Sequence, residues 1–396
     1  MSKLPMNLFC IPWAPLVTPI NPYLPLKHEF PCSLFLCYTR GMEKTKQEII
    51  VRDIKNSINS GEYGPESKIP SENVLSARYS VSRQTVRKAL AILAEEGYVY
   101  AVHGSGTFVA KRARAGQETK NIAVVSTFMS DYIFPKVIQG INQVLSENGY
   151  SILLKTTNNS RKGEAWCMEE LLSKGIDGMI IEPSQSAISC HHPVLYDQMD
   201  SMGIPYVFIQ GCYETMLDRP HVMLDDVTGG RLITEHLLSM GHRRIAGIFK
   251  TDDIQGLLRH KGYIQALQMA GIAYEPDLVV WYHTTDRATK PMEGLTKILE
   301  TGFGCHAVVC YNDMIAADII SGLKLMGRNV PYDISVTGFD NSLLAQSRQI
   351  TTVAHPQEEL GQVAARTLLG LMDGSLSKKD ARILLEPTLV VGKTCM

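Results

Sequence analysis

Residues 70–110 read PSENVLSARYSVSRQTVRKALAILAEEGYVYAVHGSGTFVA, two apolar helical patterns followed by a Gly-rich hairpin. Ser71 is placed to cap a first helix ending at Tyr79, in which Val74 and Leu75 recur at helical spacing. After a short turn at Ser80 and Val81, Ser82 caps a second helix. Val86, Ala89, Leu90 and Leu93 fall on one face of it, and Arg83, Gln84, Arg87 and Lys88 on another. A helix that reads DNA needs this division: its apolar side docks on the domain while Arg and Gln reach base edges and phosphates in the major groove. Tyr98–Val102 and Thr107–Val109 then form two strands of a wing, joined by His103-Gly104-Ser105-Gly106, whose glycines let backbone approach a phosphate. A surface amphipathic helix followed by an ordinary hairpin is the plainer reading, but helix, helix and wing in this order favour a DNA reader.

These residues also carry a resemblance. KIPSENVL, VSRQTVRKAL, EEGY and GSGTFVA stand where the winged helix-turn-helix signature of the GntR family of bacterial regulators stands, over about residues 44–109. The resemblance implies that Arg83, Thr85 and Arg87 contact the operator from the recognition helix. It adds Glu72 from the preceding helix, His103 and Gly104 from the wing, and Lys46 at a phosphate; Ser82 and Gln84 complete the candidate surface.

The chain of 396 residues is too long for one ordinary domain, and 45% hydrophobic with 20% charged residues marks folded units and not a disordered chain. Formal net charge is −1, yet positive residues gather between Lys44 and Arg114, so a basic end is joined to a more acidic remainder. Nine scattered cysteines, with no CxxC pair, argue against a disulfide framework and fit a reducing cytoplasm. Cys305–His306 and Cys190–His192 have no second cluster at ligand spacing, so no metal and no cofactor is expected. Residues 1–41 hold prolines at 5, 12, 15, 19, 22, 25 and 31, which sustain neither a helix, nor a membrane span, nor a secretory apolar core. They are expected to be a non-native extension upstream of Met42, or else a disordered arm. The reader domain is expected over 42–110, a polar linker KRARAGQETK over 111–120, and a second unit over 121–396.

From Asn121 onward, short β-rich runs alternate with amphipathic stretches. Strands are expected at Ile122–Ser126, Ser151–Leu154, Gly178–Ile181, Tyr206–Ile209, Arg244–Phe249, Val279–Tyr282, Ala307–Cys310 and Ile334–Thr337. That rhythm predicts an α/β fold of parallel sheets flanked by helices, in two doubly wound lobes with a ligand cleft between them. Ligands then sit beyond the strand ends, where the chain offers Ser126 to Tyr132, Glu182, Gln210, Lys250 with Asp252 and Asp253, Asn312 with Asp313, and Phe339 with Asp340 and Asn341. Arg259 follows at a helix entrance. Carboxylates, amides, cations and flat rings together suit a polyhydroxylated ligand, although each Asp or Asn singly is a common helix cap.

LDDVTGGRLITEHLLSMGHRRIAGI, RHKGYIQALQMAGI, AVVCYNDMIAAD and SVTGFDN resemble the periplasmic-binding-protein-like effector domain of the LacI family over about residues 121–396. That resemblance implies that Arg259, Asn312 and Asp340 hold sugar hydroxyls, that His355 lines the pocket late in the chain, and that Asp225 to Gly230 is a hinge or packing position. A GntR-type reader on a LacI-type sensor implies a homodimeric repressor of carbohydrate utilisation genes, released from double-stranded operator DNA by a small sugar, L-arabinose. A different sugar or a nucleoside, or activation in place of repression, stays open. No nucleophile elbow, Walker loop, GxGxxG after the first strand or HExxH supports an enzyme.

Overall fold

The computed structural model describes residues 45–59, 62–64, 66–95, 98–102, 104–110, 119–128, 133–300 and 304–396. The expected extension 1–41, the stretch 111–118 of the expected linker, His103 and Tyr132 lie outside the described residues.

The reader opens with α1 (Lys46–Asn59), whose entrance is a reciprocal cap between Thr45 and Glu48. Ile50, Ile54 and Ile58, four residues apart, give α1 one buried stripe. Ser71 caps α2 (Glu72–Tyr79) by accepting from the Val74 N–H, and Ser80 ends it in the left-handed region at φ 51°. Ser82 Oγ accepts from the Thr85 N–H at 3.2 Å and starts α3 (Arg83–Glu95). Strands β1 (Val99–Val102) and β2 (Gly106–Val109) pair antiparallel in the register Val99↔Val109 and Val102↔Gly106, so the second strand begins one residue before its expected start. Leu75, Val86, Ala89, Leu93, Val99 and Val109 fill a core shared by all these elements.

The first lobe of the sensor runs β3 (Asn121–Ser126), α4 (Phe134–Glu147), β4 (Ser151–Thr156), α5 (Arg161–Lys174), β5 (Gly178–Ile181), α6 (Pro193–Ser201), β6 (Tyr206–Ile209) and β7 (His221–Leu224). The second runs α7 (Asp226–Ser239), β8 (Ile245–Lys250), α8 (Ile254–Met269), β9 (Val279–Tyr282), α9 (Lys290–Glu300), β10 (Ala307–Cys310), α10 (Asp313–Leu325), β11 (Ser335–Thr337), α11 (Leu343–Arg348) and β12 (Thr352–Ala354). The chain then returns through α12 (Gln357–Asp373) and β13 (Arg382–Leu385) before closing with β14 (Thr388–Val390). The first sheet has the order β13-β7-β6-β5-β3-β4 and the second β11-β10-β8-β9. Both sheets are parallel throughout, and a β12–β14 ribbon pairs antiparallel. Strands β5, β6, β7 and β10 are buried along their whole length, the condition of a parallel sheet covered on both faces, which explains their unbroken apolar runs.

Between β7 and α7, between β12 and α12, and between β13 and β14, the chain passes from one lobe to the other, and the cleft lies beside these crossings. Close helix pairs stiffen each lobe. A Cβ at Gly230 on α7 would collide with the Arg259 carbonyl on α8, and one at Gly262 with the Val227 carbonyl, so the 225–230 stretch is a packing position. Gly230→Ala is expected to destabilise the sensor by roughly 1–3 kcal/mol, because the obstacle is backbone and cannot swing aside. A lowered urea midpoint with an unchanged slope checks this; an unchanged midpoint contradicts it.

Candidate DNA interface and ligand cleft

The recognition helix presents a polar face to solvent. Arg83, Gln84, Arg87 and Lys88 are exposed while Val86, Ala89 and Leu90 are buried, so the residues expected to meet DNA stand together on α3. Thr85 is half-buried and its hydroxyl lies 2.9 Å from Ser82 Oγ, which fixes both side chains at the helix entrance. Glu72 on α2 accepts from Arg87 Nε at 3.0 Å and Nη2 at 2.8 Å, a bidentate pair in the open. The Arg87 hydrogen bond holds the Glu72 carboxyl below its usual range. Lys46 is exposed at the first residue of α1, and Gly104 turns the wing at φ 75°. Lys68, not singled out from the sequence, forms a bridge to Phe108 and lies against Gly106, so it sits at the base of the wing.

In the sensor, the cleft is lined by residues that follow strand ends. Thr127 and Phe128 follow β3, Glu182 and Pro183 follow β5, Gln210 and Gly211 follow β6, and Asp253 and Thr284 come after β8 and β9. Tyr311 and Asn312 follow β10, Asp340 comes after β11, and Lys250 and Tyr282 end their own strands. Of the expected residues, Glu182, Gln210, Lys250, Asp253, Arg259, Asn312 and Asp340 come together here. Asn159, Tyr282 and Tyr311 also line it and were missed; Tyr311, directly before Asn312 in AVVCYNDM, was the one in plain view.

Most of these side chains are held by other protein groups. Arg259, 5% exposed, donates from Nε to Asp226 Oδ1 at 2.7 Å and from Nη1 to the Tyr311 carbonyl at 2.7 Å. Its Nη2 lies 3.5 Å from Asp340 Oδ1, and its Cζ sits 3.6 Å from the Phe339 ring centre. Burial works against this charge, but Asp226 and Asp340 outweigh it and keep the guanidinium protonated. Burial also raises Asp226 to about 6 against the pull of Arg259. Asp253 caps α8 through the Gly256 N–H at 2.9 Å and accepts the Tyr311 hydroxyl at 2.6 Å. Lys250 Nζ stands 2.9 Å from Asp253 Oδ2, and burial, which opposes its charge, is outweighed by Asp253 and Asp252. Glu182 accepts from Ser126 Oγ and the Thr127 N–H, tying two strand ends together. Asn312 Oδ1 accepts the Ile315 N–H as a helix cap. Asp340 and Gln210 hold left-handed backbone at φ 104° and 66°, a strain that proteins keep where a side chain must be aimed. The Gln210 Nε2 donor is buried with no protein acceptor, a group that wants one.

Two expected cleft residues serve elsewhere. Asp313 is fully buried with both oxygens occupied, Oδ1 by the Thr352 hydroxyl and Oδ2 by the Ser342 N–H and hydroxyl. Standing one residue past the cap Asn312, it anchors the Asp340 loop to α10; burial lifts it to about 6 despite those hydrogen bonds. His355 lies behind Asp340, its Nδ1 4.0 Å from Asp340 Oδ1, and faces a neighbouring pocket with Lys136, Asn341 and Gln346. It backs the cleft wall and does not line it. Burial and then the Arg259 charge push its pKa from 6.5 to about 3. The folded state therefore keeps His355 neutral where the unfolded chain takes up a proton, so its contribution is intact above pH 6.5 and declines as pH falls from there toward 3. Between pH 7 and 5 the wild type should lose about 2 kcal/mol more unfolding free energy than His355→Gln. Urea titrations at both pH values measure this, and equal losses contradict it.

Among the described residues no cluster of three or more His, Cys, Asp or Glu is arranged to hold a metal. No helix among them is long and apolar enough to cross a membrane.

A winged helix-turn-helix with a polar, solvent-facing recognition helix, joined to a two-lobed cleft, is the architecture of a DNA reader coupled to a small-molecule binding unit. Residues 46–109 match the family described as bacterial regulatory proteins, gntR family, and residues 234–395 match the periplasmic binding protein-like domain. The chain is 38% identical over 361 residues to an arabinose metabolism transcriptional repressor of Halalkalibacterium halodurans, covering 88% of this chain and 96% of that protein. It is 38% identical over 351 residues to the protein of the same name in Geobacillus stearothermophilus, covering 87% and 95%. Among solved structures, a transcriptional regulator CelR-cellobiose complex matches with TM-score 0.63 at 24% identity, over 82% of this chain and all of that one, which establishes the fold. The GntR regulator from Chromobacterium violaceum matches with TM-score 0.62 at 25% identity, over 69% and 98%. The chain belongs to the GntR-type, sugar-sensing family of transcriptional repressors that includes these arabinose metabolism repressors.

Proposed function

We propose that this repressor is released from its operator by L-arabinose bound in the cleft. The charge balance of the cleft supports a neutral sugar: Glu182, Asp253 and Asp340 face Lys250, Arg259 and Arg287. Lys250 and Arg259 are already matched to buried carboxylates, so a phosphorylated sugar would bring charge that these cations are not placed to neutralise. The Gln210 amide, the carboxylates and the Tyr311 ring supply donor, acceptors and a flat face for hydroxyls and C–H groups. The choice of L-arabinose is supported by the names of the two repressors at 38% identity.

On the DNA side, Arg83, Gln84, Thr85 and Arg87 read bases from α3, Glu72 orients Arg87, and Lys46, Ser82, His103 and Gly104 meet the backbone. One reader presents one recognition helix, so two half-sites call for a homodimer held by the sensors, spaced through the 111–120 linkers. Sugar closes the lobes, the sensor pair repacks, and the two readers lose the half-site spacing. Calorimetry with a panel of pentoses, hexoses and their phosphates tests the ligand: L-arabinose should bind most tightly and sugar phosphates not at all. Tighter binding of a phosphorylated sugar would overturn the reading. Sedimentation of the full chain should show a dimer.

A further inference from the structure

Asn159, in the turn after β4, ties the two lobes together. Its Nδ2 donates to Thr284 Oγ1 at 2.8 Å and to Asp252 Oδ2 at 3.3 Å, both in the second lobe. Its Oδ1 accepts the Gln185 N–H at 2.8 Å in the first lobe. The residue is 5% exposed and held at φ 54°, so its amide is aimed by the backbone. Nearby, Ser186 Oγ accepts the Ile254 N–H, the first residue of α8, at 3.0 Å, and Asp252 Oδ2 also takes the Thr284 N–H at 3.2 Å. The loop bearing Gln185 and Ser186 is clamped from behind by Glu164, a carboxylate with no exposure. Glu164 accepts from the Ser184 N–H at 2.5 Å and from the hydroxyls of Tyr196 at 2.6 Å and Tyr213 at 3.0 Å.

The place of these bonds gives them leverage. The chain crosses between lobes beside β7, β13 and β11, one edge of each sheet, whereas Asn159 follows β4 and Thr284 follows β9, the opposite edges. Opening about the crossings moves the Asn159 side of the cleft farthest, and its bonds to Thr284 and Asp252 exist only when the lobes are together.

We propose that Asn159 and Ser186 form a closure latch, positioning residues that set how much sugar is needed to release the operator; this rests on the sugar-release reading above. A ligand that binds the closed arrangement has an apparent dissociation constant equal to its intrinsic one divided by the closed fraction, so weakening the latch raises the sugar requirement. With the full chain and its operator, Asn159→Ala should raise the L-arabinose concentration for half-release about tenfold. Asn159→Gly, which keeps the left-handed backbone without strain, should give the same shift. Asp252→Ala, which removes the acceptor from outside the cleft lining, should shift it likewise, and the double variant should show less than the product of the two effects because both remove one bond.

Amide hydrogen exchange reads the latch without sugar. The Ile254 N–H, whose acceptor Ser186 Oγ lies on the other lobe, should exchange about tenfold faster in Asn159→Ala and in Asp252→Ala, which leave that bond's own atoms in place, while the amides of β5 and β10 stay protected. A wild-type half-release concentration in Asn159→Ala, in a protein whose wild type responds to sugar, overturns the latch, as does unchanged exchange at the Ile254 N–H. If the wild type responds to no sugar in the panel, the release reading fails on its own, and the exchange rates alone decide the latch.

Discussion

Arg259→Ala is expected to yield a repressor that grips its operator with wild-type affinity and lets go at no sugar concentration. The guanidinium is the one cation that Asp226, Asp340 and the Tyr311 carbonyl all address, and it packs against the face of Phe339. Removing it deletes a cleft-lining donor and the positive charge 3.5 Å from Asp340 Oδ1. It also leaves buried carboxylates without their counter-charge, a change worth about 3–5 kcal/mol of sensor stability. The reader has its own core in the stretch Ile50 to Val109, so wild-type operator affinity requires only that the loosened sensor still fold and pair, which sedimentation of the variant checks. Reporter repression that persists at saturating sugar is the expected result; normal induction would remove Arg259 from the cleft chemistry.

Arg87→Ala is expected to weaken operator binding by about 1–3 kcal/mol and to relax preference at one base position, the signature of lost bidentate readout. Glu72 holds this side chain by two hydrogen bonds, so Glu72→Ala should broaden preference at the same position with a smaller loss of affinity, since the arginine remains but is no longer aimed. Lys46→Ala, in contrast, should weaken all duplexes alike and lower the salt dependence, as expected of a phosphate contact. Binding to a randomised operator library reads all three. Identical base preferences in wild type and Arg87→Ala would shift readout to other residues of α3 or to the wing.

The parallel sheets were legible because their inner strands are buried on both faces: Gly178–Ile181, Tyr206–Ile209 and Ala307–Cys310 stand where the apolar runs placed them. β7 is just as buried, yet its run is only His221–Leu224, opens on a histidine and leads at once into the Asp225 cap of α7, and β12, β13 and β14 are short or carry mixed exposure. Local pattern does not reveal such strands, because their pairing is set by the chain's return across the lobes. The strand-end rule likewise brought six expected residues, Glu182, Gln210, Lys250, Asp253, Asn312 and Asp340, to one cleft, since parallel strands aim their carboxyl ends at a common edge, and Arg259 joins them from α8. The rule overreached at Asp313, whose neighbour Asn312 lines the cleft while Asp313 turns back into the fold; His355, expected from the family resemblance, stands behind Asp340. Asn159 escaped notice for the opposite reason, its value arising from Asp252 and Thr284, 93 and 125 residues away on the facing lobe.

Operator affinity measured by fluorescence anisotropy, on an inverted-repeat duplex from upstream of the chain's own gene, with and without saturating L-arabinose, tests the central claim most directly. Coupling between the two sites in the usual range predicts affinity about 5- to 150-fold weaker with the sugar present. Equal affinities in the two conditions, with the sugar shown by calorimetry to be bound, would contradict it.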